Sequence, residues 1–349
     1  MTITASSSSS SSAAAAAASL SSSSSLLSIR KEVLDVSHGD QRVADLEFLG
    51  NGPCYMSFLN CGDPYNDSDA KILQLRKMVL AYGIPSSQSA LRGIIWKLLL
   101  GVETIDSKTY LTLVKSGPSN KDDKIKDDAN RTFTGNESFW SRVKEDQIIR
   151  VLNAFATSKS KETNIDINDK DNLQVCGYLQ GMNVVLGTLL YVMPELDAFT
   201  TFTCLVNKHF PRYLYMNLDG PHHGCELLEK CLINLDSSLY EHLKKRLDSK
   251  IYAFSKIMTL LACMKPFDEV LKLWDAIFAY GLHLHIILLC VHIISVRELI
   301  LQETNAYQMH KIISDLPLDS DMLLKGAFKL IIMIPPSLYE ELVLHYLSP

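Results

Sequence analysis

Helical periodicity dominates the chain from Asp69 onward. Apolar residues recur three and four positions apart, which is typical of helices that bury one face. Ser68 or Asp69 can cap the first of these helices, and Gly83 and Pro85 end it. No stretch alternates apolar and polar residues for long enough to predict a sheet. The pattern therefore predicts an all-α fold, an irregular array of about fifteen helices without a fixed-period repeat.

The same periodicity gives approximate bounds for the later helices. A second helix is predicted from near Ser89. The others are predicted at 106–115, 137–157, 181–193, 197–210, 223–234, 236–246, 251–263, 266–280, 284–302, 306–314, 319–333 and 335–347. The apolar stretch from Leu282 to Ile294 contains three histidines and is too short to cross a bilayer. It is predicted to be a buried helix, and no transmembrane segment is expected.

Other segments depart from the helical pattern. Residues 1–27 are almost entirely Ser and Ala, which offer too little apolar surface to offset the entropy of ordering. They are predicted to be a disordered tail, followed by a poorly defined segment at 28–68 with several turn signals. Residues 69–349 then form the helical domain. Within it, the polar stretch 157–172 is predicted to be an exposed insertion loop, after a helix that ends near Ala156.

Composition and charge narrow the classes of function. The formal net charge of −5 provides no general attraction to nucleic acid or to anionic membranes. The eight cysteines include no C-x-x-C pair and match no zinc-binding spacing, so no metal site is expected. Several lie in apolar stretches, as buried free thiols do, which favours reduced cysteines in a cytosolic or nuclear protein.

The first candidate for chemistry is the pair Asp128 and Arg131. Because they are three residues apart, the two side chains lie on the same face of a helix and can interact. Ile125, three residues earlier, anchors that face in the core. The planar guanidinium of Arg131 suits phosphate oxygens, and the carboxylate of Asp128 can hold it in place. A surface ion pair on a solvated helix explains the same common spacing equally well.

The second candidate is Gln180, at a predicted junction between a loop and a helix. Gly177 and Gly181 bracket the segment, and an apolar helix follows it. A side chain can project from such a junction, and backbone N–H groups are free there. Tyr178 can pack as a strut beneath the turn. An ordinary turn before a core helix is the alternative interpretation.

These two segments belong to an ordered series of short motifs. In chain order the series is Arg92-x-x-x-Trp96, Ile125-x-x-Asp128-x-x-Arg131, Tyr178-x-Gln180-Gly181-Met182-Asn183, Ile251-Tyr252-Ala253-Phe254 and Lys272 to Gly281. The series resembles the TBC domain family of Rab-type GTPase-activating proteins, over about residues 70–345. The order of the first three motifs is highly specific. The resemblance implies an all-helical fold, in agreement with the periodicity.

The resemblance also implies roles for individual residues. Arg131 matches the family's arginine finger and Gln180 its glutamine finger, the two groups that GTP hydrolysis needs. Asp128 matches the acidic residue that positions the arginine. The other matched residues are the supporting Tyr178 and Gly181 and the structural pair Arg92 and Trp96, with Arg92 expected near the catalytic surface. The chain lacks a G-x-x-x-x-G-K-[ST] loop, so GTP and Mg²⁺ are expected on a Rab- or Ras-like partner GTPase and no cofactor on this chain.

A narrower resemblance concerns the biological pathway. The segments Lys265 to Asp275 and Ala129 to Phe133 resemble the yeast mitotic-exit members of the family, the Bub-two and Cdc-sixteen type. This resemblance implies a GTPase of mitotic exit or septation as target, a scaffold partner that completes the activator, and a cytoplasmic protein at the spindle pole body. Two alternatives stay open: a Rab activator in vesicle traffic, and a largely non-catalytic scaffold that binds a GTPase.

Overall fold

The described part of the chain folds into α-helices joined by short turns and contains no β-strand. The computed structural model describes residues 55–60, 69–102, 106–162 and 176–347. Fifteen α-helices in these ranges have eight or more residues, and three are shorter. The all-α fold predicted from the periodicity, with its irregular array of helices, is therefore confirmed.

The helices follow one another closely along the chain. In order they are α1 (Tyr55–Asn60), α2 (Asp69–Tyr82), α3 (Arg92–Leu99), α4 (Ser107–Lys115), α5 (Asp122–Asn130), α6 (Glu137–Trp140), α7 (Glu145–Glu162), α8 (Met182–Val192), α9 (Glu195–Cys204), α10 (Asp219–Leu235), α11 (Ser237–Lys244), α12 (Ser249–Met258), α13 (Phe267–Tyr280), α14 (Leu284–Ser295), α15 (Arg297–Gln302), α16 (Ala306–Asp315), α17 (Ser320–Met333) and α18 (Pro336–Leu344). A 3₁₀ turn, Ser86–Leu91, leads into α3. A π turn, Leu205–His209, and a second 3₁₀ turn, Pro211–Leu214, lie between α9 and α10.

Short polar side chains begin several of these helices. In each case the residue just before the helix accepts a hydrogen bond from a backbone N–H of the first turn. These residues are Asp106, Asn136, Asp236, Asp248, Asn305 and Asp319. Such N-caps satisfy donors that have no intrahelical partner. The local sequence therefore sets where these helices start.

Helices α13 and α14 form the centre of the core, and most residues of both are buried. The prediction that the stretch from Leu282 to Ile294 is a buried helix is confirmed. In α13, the ring of Trp274 lies 5.5 Å from that of Trp96 in α3 and 5.2 Å from that of Phe278. Aromatic pairs at these distances bury large areas and stabilise the contact beyond area alone. They join α3 to α13.

One arginine of α2 donates hydrogen bonds to the C-terminal carbonyls of two other helices. The guanidinium of Arg76 donates to the carbonyls of Phe278 and Ala279 in α13, each at 2.8 Å. It also donates to the carbonyl of Leu99 in α3 at 3.0 Å. The last carbonyls of a helix have no intrahelical partner and carry partial negative charge, so a cation there stabilises both C-termini. Arg76 thereby links α2, α3 and α13.

The helix predicted at 137–157 is two helices. α6 ends at Trp140, and α7 begins at Glu145. The backbone N–H of Lys144 donates to Gln147 Oε1 at 2.9 Å, which is half of a capping box and starts the new helix. α7 then continues to Glu162, so the first part of the predicted loop 157–172 is helical. The rest of that loop lies outside the described residues.

Two further predicted helices are interrupted. The helix predicted at 284–302 breaks at Val296, whose φ of −106° and ψ of 19° are not helical, so α14 and α15 are separate. The helix predicted at 197–210 changes into the π turn after Cys204. Apolar residues continue across both breaks, and periodicity alone therefore gave no sign of them.

The chain upstream of α2 also contributes to the packed structure. Tyr55, in the segment predicted to be poorly defined, begins α1 and is completely buried. Its hydroxyl donates to the carbonyl of Gly83 at 2.8 Å, and its backbone N–H donates to Gln88 Oε1 at 3.2 Å. The predicted disordered tail 1–27, and the other residues of 28–68, lie outside the described residues.

Candidate functional site

Arg131 lies in the turn that follows α5. Ile125, Asp128 and Ala129 form the buried side of this helix, as their spacing predicts. The backbone N–H of Arg131 closes the helix by donating to the carbonyl of Asp128 at 3.2 Å. The Arg131 side chain is 67% exposed, whereas that of Asp128 is only 9% exposed. The guanidinium is therefore presented to solvent from a buried support.

Two acceptors hold the guanidinium in place. Nη2 of Arg131 donates to Asp128 Oδ1 at 2.6 Å, and Nε donates to the carbonyl of Asp127 at 3.1 Å. An ion pair with one exposed partner adds little to stability. Its main effect is on orientation, because a guanidinium held at two points loses much of the rotational freedom of a long side chain.

Tyr178 links this pair to the second candidate segment. Its hydroxyl donates to Asp128 Oδ2 at 2.7 Å, so both carboxylate oxygens of Asp128 are engaged. Burial, reinforced by the carboxylate of Asp128, raises the pKa of the Tyr178 phenol. The phenol therefore stays protonated at neutral pH and remains a hydrogen-bond donor. The Tyr178 side chain therefore joins the turn that carries Gln180 to the end of α5.

Gln180 is exposed in the turn that leads into α8, and Gly181 caps the helix. Gly181 has a φ of +105°, in the region that favours glycine. A Cβ at this position would lie 3.3 Å from Thr259 Cγ2 and 3.4 Å from Met258 Cγ. Both the backbone conformation and the close approach of the α12 end therefore require glycine next to Gln180.

A buried asparagine joins the two turns a second time. Nδ2 of Asn183 donates to the carbonyl of Asp128 at 3.1 Å and to Thr132 Oγ1 at 2.8 Å. Its Oδ1 accepts from the backbone N–H of Gly181 at 3.1 Å. Sequence reasoning gave Asn183 and Thr132 no role. The available signal was a polar residue in the first turn of an otherwise apolar helix.

An unusual backbone conformation follows the arginine. Phe133 has a φ of 44°, which is uncommon for a residue with a large side chain. Its ring lies 4.6 Å from that of Phe139 and 4.8 Å from that of Phe267. Gly187 of α8 packs against the same ring, since a Cβ there would lie 3.3 Å from Phe133 Cε2. This packing maintains the strained turn just beyond Arg131.

Arg92 and Trp96 converge on a different carboxylate, that of Asp275 in α13. Nε of Arg92 donates to Oδ1 at 2.9 Å and Nη2 to Oδ2 at 2.8 Å, while Trp96 Nε1 donates to Oδ1 at 2.7 Å. Burial raises the pKa of Asp275 to about 6, although Arg92 and Trp96 oppose the shift. The cluster joins α3 to α13. Arg92 is buried within it, so the structure does not place Arg92 at the exposed surface where its proposed catalytic neighbours lie.

The described residues show no candidate for a metal site, a disulfide or a membrane-spanning helix. Among them, no group of three or more His, Cys, Asp or Glu is placed to hold a metal ion. The six cysteines in the described ranges are free thiols. No described helix has the length and apolar content that crossing a membrane requires.

An all-helical scaffold thus presents an exposed arginine and an exposed glutamine from two hydrogen-bonded turns. The Rab-GTPase-TBC domain model matches residues 89–301. The chain belongs to this family. Within it, the chain resembles the Bub-two and Cdc-sixteen type, as the narrower resemblance predicted.

Two curated relatives of this type align with the chain over most of their length. The chain is 34% identical to Cell division control protein 16 of Schizosaccharomyces pombe, covering 81% of this chain and 90% of the relative. It is also 34% identical to Mitotic check point protein BUB2 of Saccharomyces cerevisiae, covering 80% of this chain and 93% of the relative.

Solved structures agree with the fold. The flagellar RabGAP TBC domain of Chlamydomonas superposes with a TM-score of 0.61 at 19% identity, over 73% of this chain and 84% of that domain. At this identity the likeness concerns the fold alone.

Proposed function

We propose that this chain accelerates GTP hydrolysis by a Rab- or Ras-like small GTPase in cell-cycle control, with Arg131 as arginine finger and Gln180 as glutamine finger. One observation carries the assignment of the residues. The exposed guanidinium of Arg131 is anchored on Asp128, and the same carboxylate binds Tyr178, two residues before the exposed Gln180. Two groups of complementary chemistry therefore project from one hydrogen-bonded support.

Each group then has a distinct task. The GTPase carries GTP and Mg²⁺, and this chain contributes only side chains. Arg131 stabilises charge that develops on the transferring phosphoryl, and Gln180 orients the attacking water. Asp128 and Tyr178 act by fixing the guanidinium before the GTPase docks, so that little orientational entropy is lost in the transition state. An arginine finger supplied in trans contributes about 10³ to 10⁵ in rate, roughly 4–7 kcal/mol of barrier.

Single-turnover phosphate release from a panel of purified, GTP-loaded Rab- and Ras-like GTPases tests the proposal. The wild-type chain is expected to accelerate at least one of them. Arg131→Ala and Gln180→Ala should each lower the accelerated rate strongly while leaving binding nearly intact. Arg131→Lys should not restore the rate. A guanidinium can bind its two acceptors within the chain and still offer N–H groups to the phosphate, whereas a lysine ammonium lacks this planar fork.

The matched control is Arg246→Ala, which removes an exposed arginine of the turn after α11 that bonds to the carbonyl of His242. It should keep the full rate. Full acceleration by the Arg131→Ala variant would contradict the finger assignment. Binding without acceleration by the wild-type chain would instead favour the non-catalytic scaffold. Acceleration confined to GTPases of membrane traffic would favour the vesicle-traffic alternative.

The pathway and the partner form the finer part of the proposal. The names of the two fungal relatives concern cell division and the mitotic check point, and this supports a GTPase of mitotic exit or septation as target. We further propose a scaffold protein that completes a two-component activator, and a cytoplasmic location at the spindle pole body. Rates measured with and without proteins that co-purify with the full chain test the first point, and imaging of a tagged chain tests the second.

A further inference from the structure

We infer that Asn183 is a positioning residue, whose single side-chain amide holds the arginine-bearing turn and the glutamine-bearing turn in one fixed arrangement. The kinetic part of this inference rests on the proposed function. The geometric part concerns the chain alone. Neither the motif match nor the relatives assign a role to Asn183, and it touches neither finger directly.

The amide nitrogen secures the arginine side. Nδ2 carries two protons, and each has an acceptor: the carbonyl of Asp128 at 3.1 Å and Thr132 Oγ1 at 2.8 Å. These residues lie on either side of Arg131 in the sequence. The Thr132 hydroxyl donates in turn to the same Asp128 carbonyl, at 2.9 Å. Asn183 therefore fixes the end of α5, from which the guanidinium projects.

The amide oxygen secures the glutamine side. Oδ1 accepts from the backbone N–H of Gly181 at 3.1 Å, and Gly181 follows Gln180 directly. An N–H at the start of a helix has no intrahelical partner, so this bond satisfies a donor that the turn would otherwise leave unpaired. It also holds the peptide that sets the direction of the Gln180 side chain.

Asn183 and Tyr178 make two separate bridges between the turns. Tyr178 binds the side chain of Asp128 and so controls the guanidinium. Asn183 binds two backbone groups and the Thr132 hydroxyl, and so controls the turns themselves. Asn183 is only 5% exposed. Water competes poorly for hydrogen bonds at such a site, and the arrangement persists. Two exposed fingers are thus set by a buried amide.

The chain offers a matched control in Asn153 of α7, which is also 5% exposed. Its Oδ1 accepts from the backbone N–H and the hydroxyl of Ser119, at 2.8 and 2.7 Å. Its Nδ2 donates to Asp122 Oδ1 at 2.8 Å and to the carbonyl of Ile149 at 3.0 Å. Three of these bonds join α7 to the start of α5, and Asn183 also makes three. Asn153 binds neither finger-bearing turn.

Steady-state and single-turnover kinetics, with a GTPase that the wild-type chain accelerates, give the first test. Asn183→Ala should lower kcat by about 10- to 100-fold with little change in KM, because misplaced groups bind but react slowly. Asn153→Ala should keep kcat while losing a similar amount of thermal stability. In the background of Arg131→Ala combined with Gln180→Ala, the further change Asn183→Ala should have no effect on rate.

Hydrogen exchange of the chain alone gives a second test that needs no GTPase. Asn183→Ala should speed exchange of the Gly181 amide and of residues 131–132, and Asn153→Ala should not. The variant Asn183→Asp keeps an acceptor for Gly181 but loses the donor, so it should loosen the arginine side alone. Asn183→Asp also replaces Asn183→Ala in this test if the alanine variant does not fold.

The two tests separate the possible failures. If no GTPase is accelerated, either by the chain alone or together with the proteins that co-purify with it, the proposed function is wrong. Hydrogen exchange then still decides whether Asn183 joins the two turns. Unchanged exchange at Gly181 and at residues 131–132 in both Asn183 variants would overturn the inference. Equal kcat values for Asn183→Ala and Asn153→Ala would also overturn it, because the effect on rate would then be no more than a loss of stability.

Discussion

At the scale of single residues, exposed polar side chains are supported by side chains that are largely buried. Arg131 and Gln180 are exposed, whereas Asp128, Tyr178 and Asn183 are buried beneath them. A long side chain at a surface normally samples many rotamers, and ordering it costs free energy. In the folded chain, the bonds to Asp128 and Asp127 already restrict the rotamers of Arg131, so less entropy remains to be lost on binding. Under the proposed function, substitutions of these buried residues should change the accelerated rate more than the affinity for the GTPase.

Gly181 gives a prediction at this scale. Gly181→Ala adds a Cβ at a φ of +105° that also approaches Thr259 and Met258. We expect a loss of unfolding free energy of about 1–2 kcal/mol from the conformation, plus repulsion that shifts the Gln180 turn and lowers the accelerated rate. Thermal unfolding and single-turnover phosphate release measure the two effects.

Gly101→Ala is the control for this change. Gly101 has a φ of +65°, but a Cβ there meets nothing within 4 Å. It should therefore lose comparable stability and keep its full rate. If Gly181→Ala behaves in the same way as Gly101→Ala, the glycine serves the fold and not the position of the glutamine.

Local spacing predicted part of the site at this scale. The three-residue step from Asp128 to Arg131 is a property of one helix, so the sequence alone places the two side chains together. The bond from Tyr178 to Asp128 spans fifty residues, and only the family resemblance related them. The bonds of Asn183 to Asp128 and Thr132 depend on how α8 crosses α5, which no pattern within either helix records.

At the scale of elements, the buried cluster of Arg92, Trp96 and Asp275 joins the Arg92-x-x-x-Trp96 motif in α3 to the Lys272–Gly281 motif, most of which lies in α13. Removing one partner of a buried ion pair leaves an uncompensated charge, which costs far more than the pair contributes. The cluster therefore specifies how α3 and α13 pack. This explains why Arg92 belongs to the motif series without presenting its charge at the surface.

Asp275→Ala tests this element contact. It leaves the Arg92 guanidinium and the Trp96 N–H without their carboxylate, so the free energy of unfolding should fall by about 3–5 kcal/mol. Denaturant unfolding measures the change. Combining Asp275→Leu with Arg92→Met removes both charges and should recover much of the loss.

The surface pair of Asp146 and Arg150 provides the comparison, since the Asp146 side chain is 67% exposed. Asp146→Ala should cost less than about 1 kcal/mol. A cost of Asp275→Ala no larger than this would mean that the α3–α13 contact does not depend on the buried pair.

Element boundaries were less predictable than element types. The pattern placed nearly every long helix, because each buries one face. It ran α6 into α7 and α14 into α15, where apolar spacing continues but backbone geometry breaks. At the break before α7, the backbone N–H of Lys144 donates to the side chain of Gln147, and apolar periodicity does not record such a cap.

At the scale of the whole molecule, a set of buried histidines makes stability depend on pH. His285 and His345 are completely or almost completely buried and both face the hydroxyl of Tyr213, at 3.4 and 3.1 Å from Nε2. Burial lowers the pKa of His285 to about 4 and that of His345 well below its usual range. Each imidazole is therefore neutral in the folded chain under conditions where the unfolded chain takes up a proton.

The sign of the effect follows from proton uptake. Between about pH 6.5 and pH 4 the unfolded state binds more protons than the folded state, so stability falls as pH falls. Each histidine should contribute about 1.4 kcal/mol per pH unit within that window. Urea unfolding at intervals from pH 7 to pH 4.5 measures the slope. His285→Gln should reduce the slope.

Arg76 binds three carbonyls at the ends of α3 and α13, and it lies before the span that the family model matches. The family model begins at residue 89, and α2 lies entirely before it. A fragment trimmed to residues 89–301 would expose the ends of α3 and α13 without their cation, and would also lack Tyr339, whose hydroxyl lies 2.8 Å from that of Tyr280. The contacts that hold the helical array together therefore extend beyond residues 89–301 at both ends. Expression trials, domain fusions and truncation alleles should be cut outside α1 and α18.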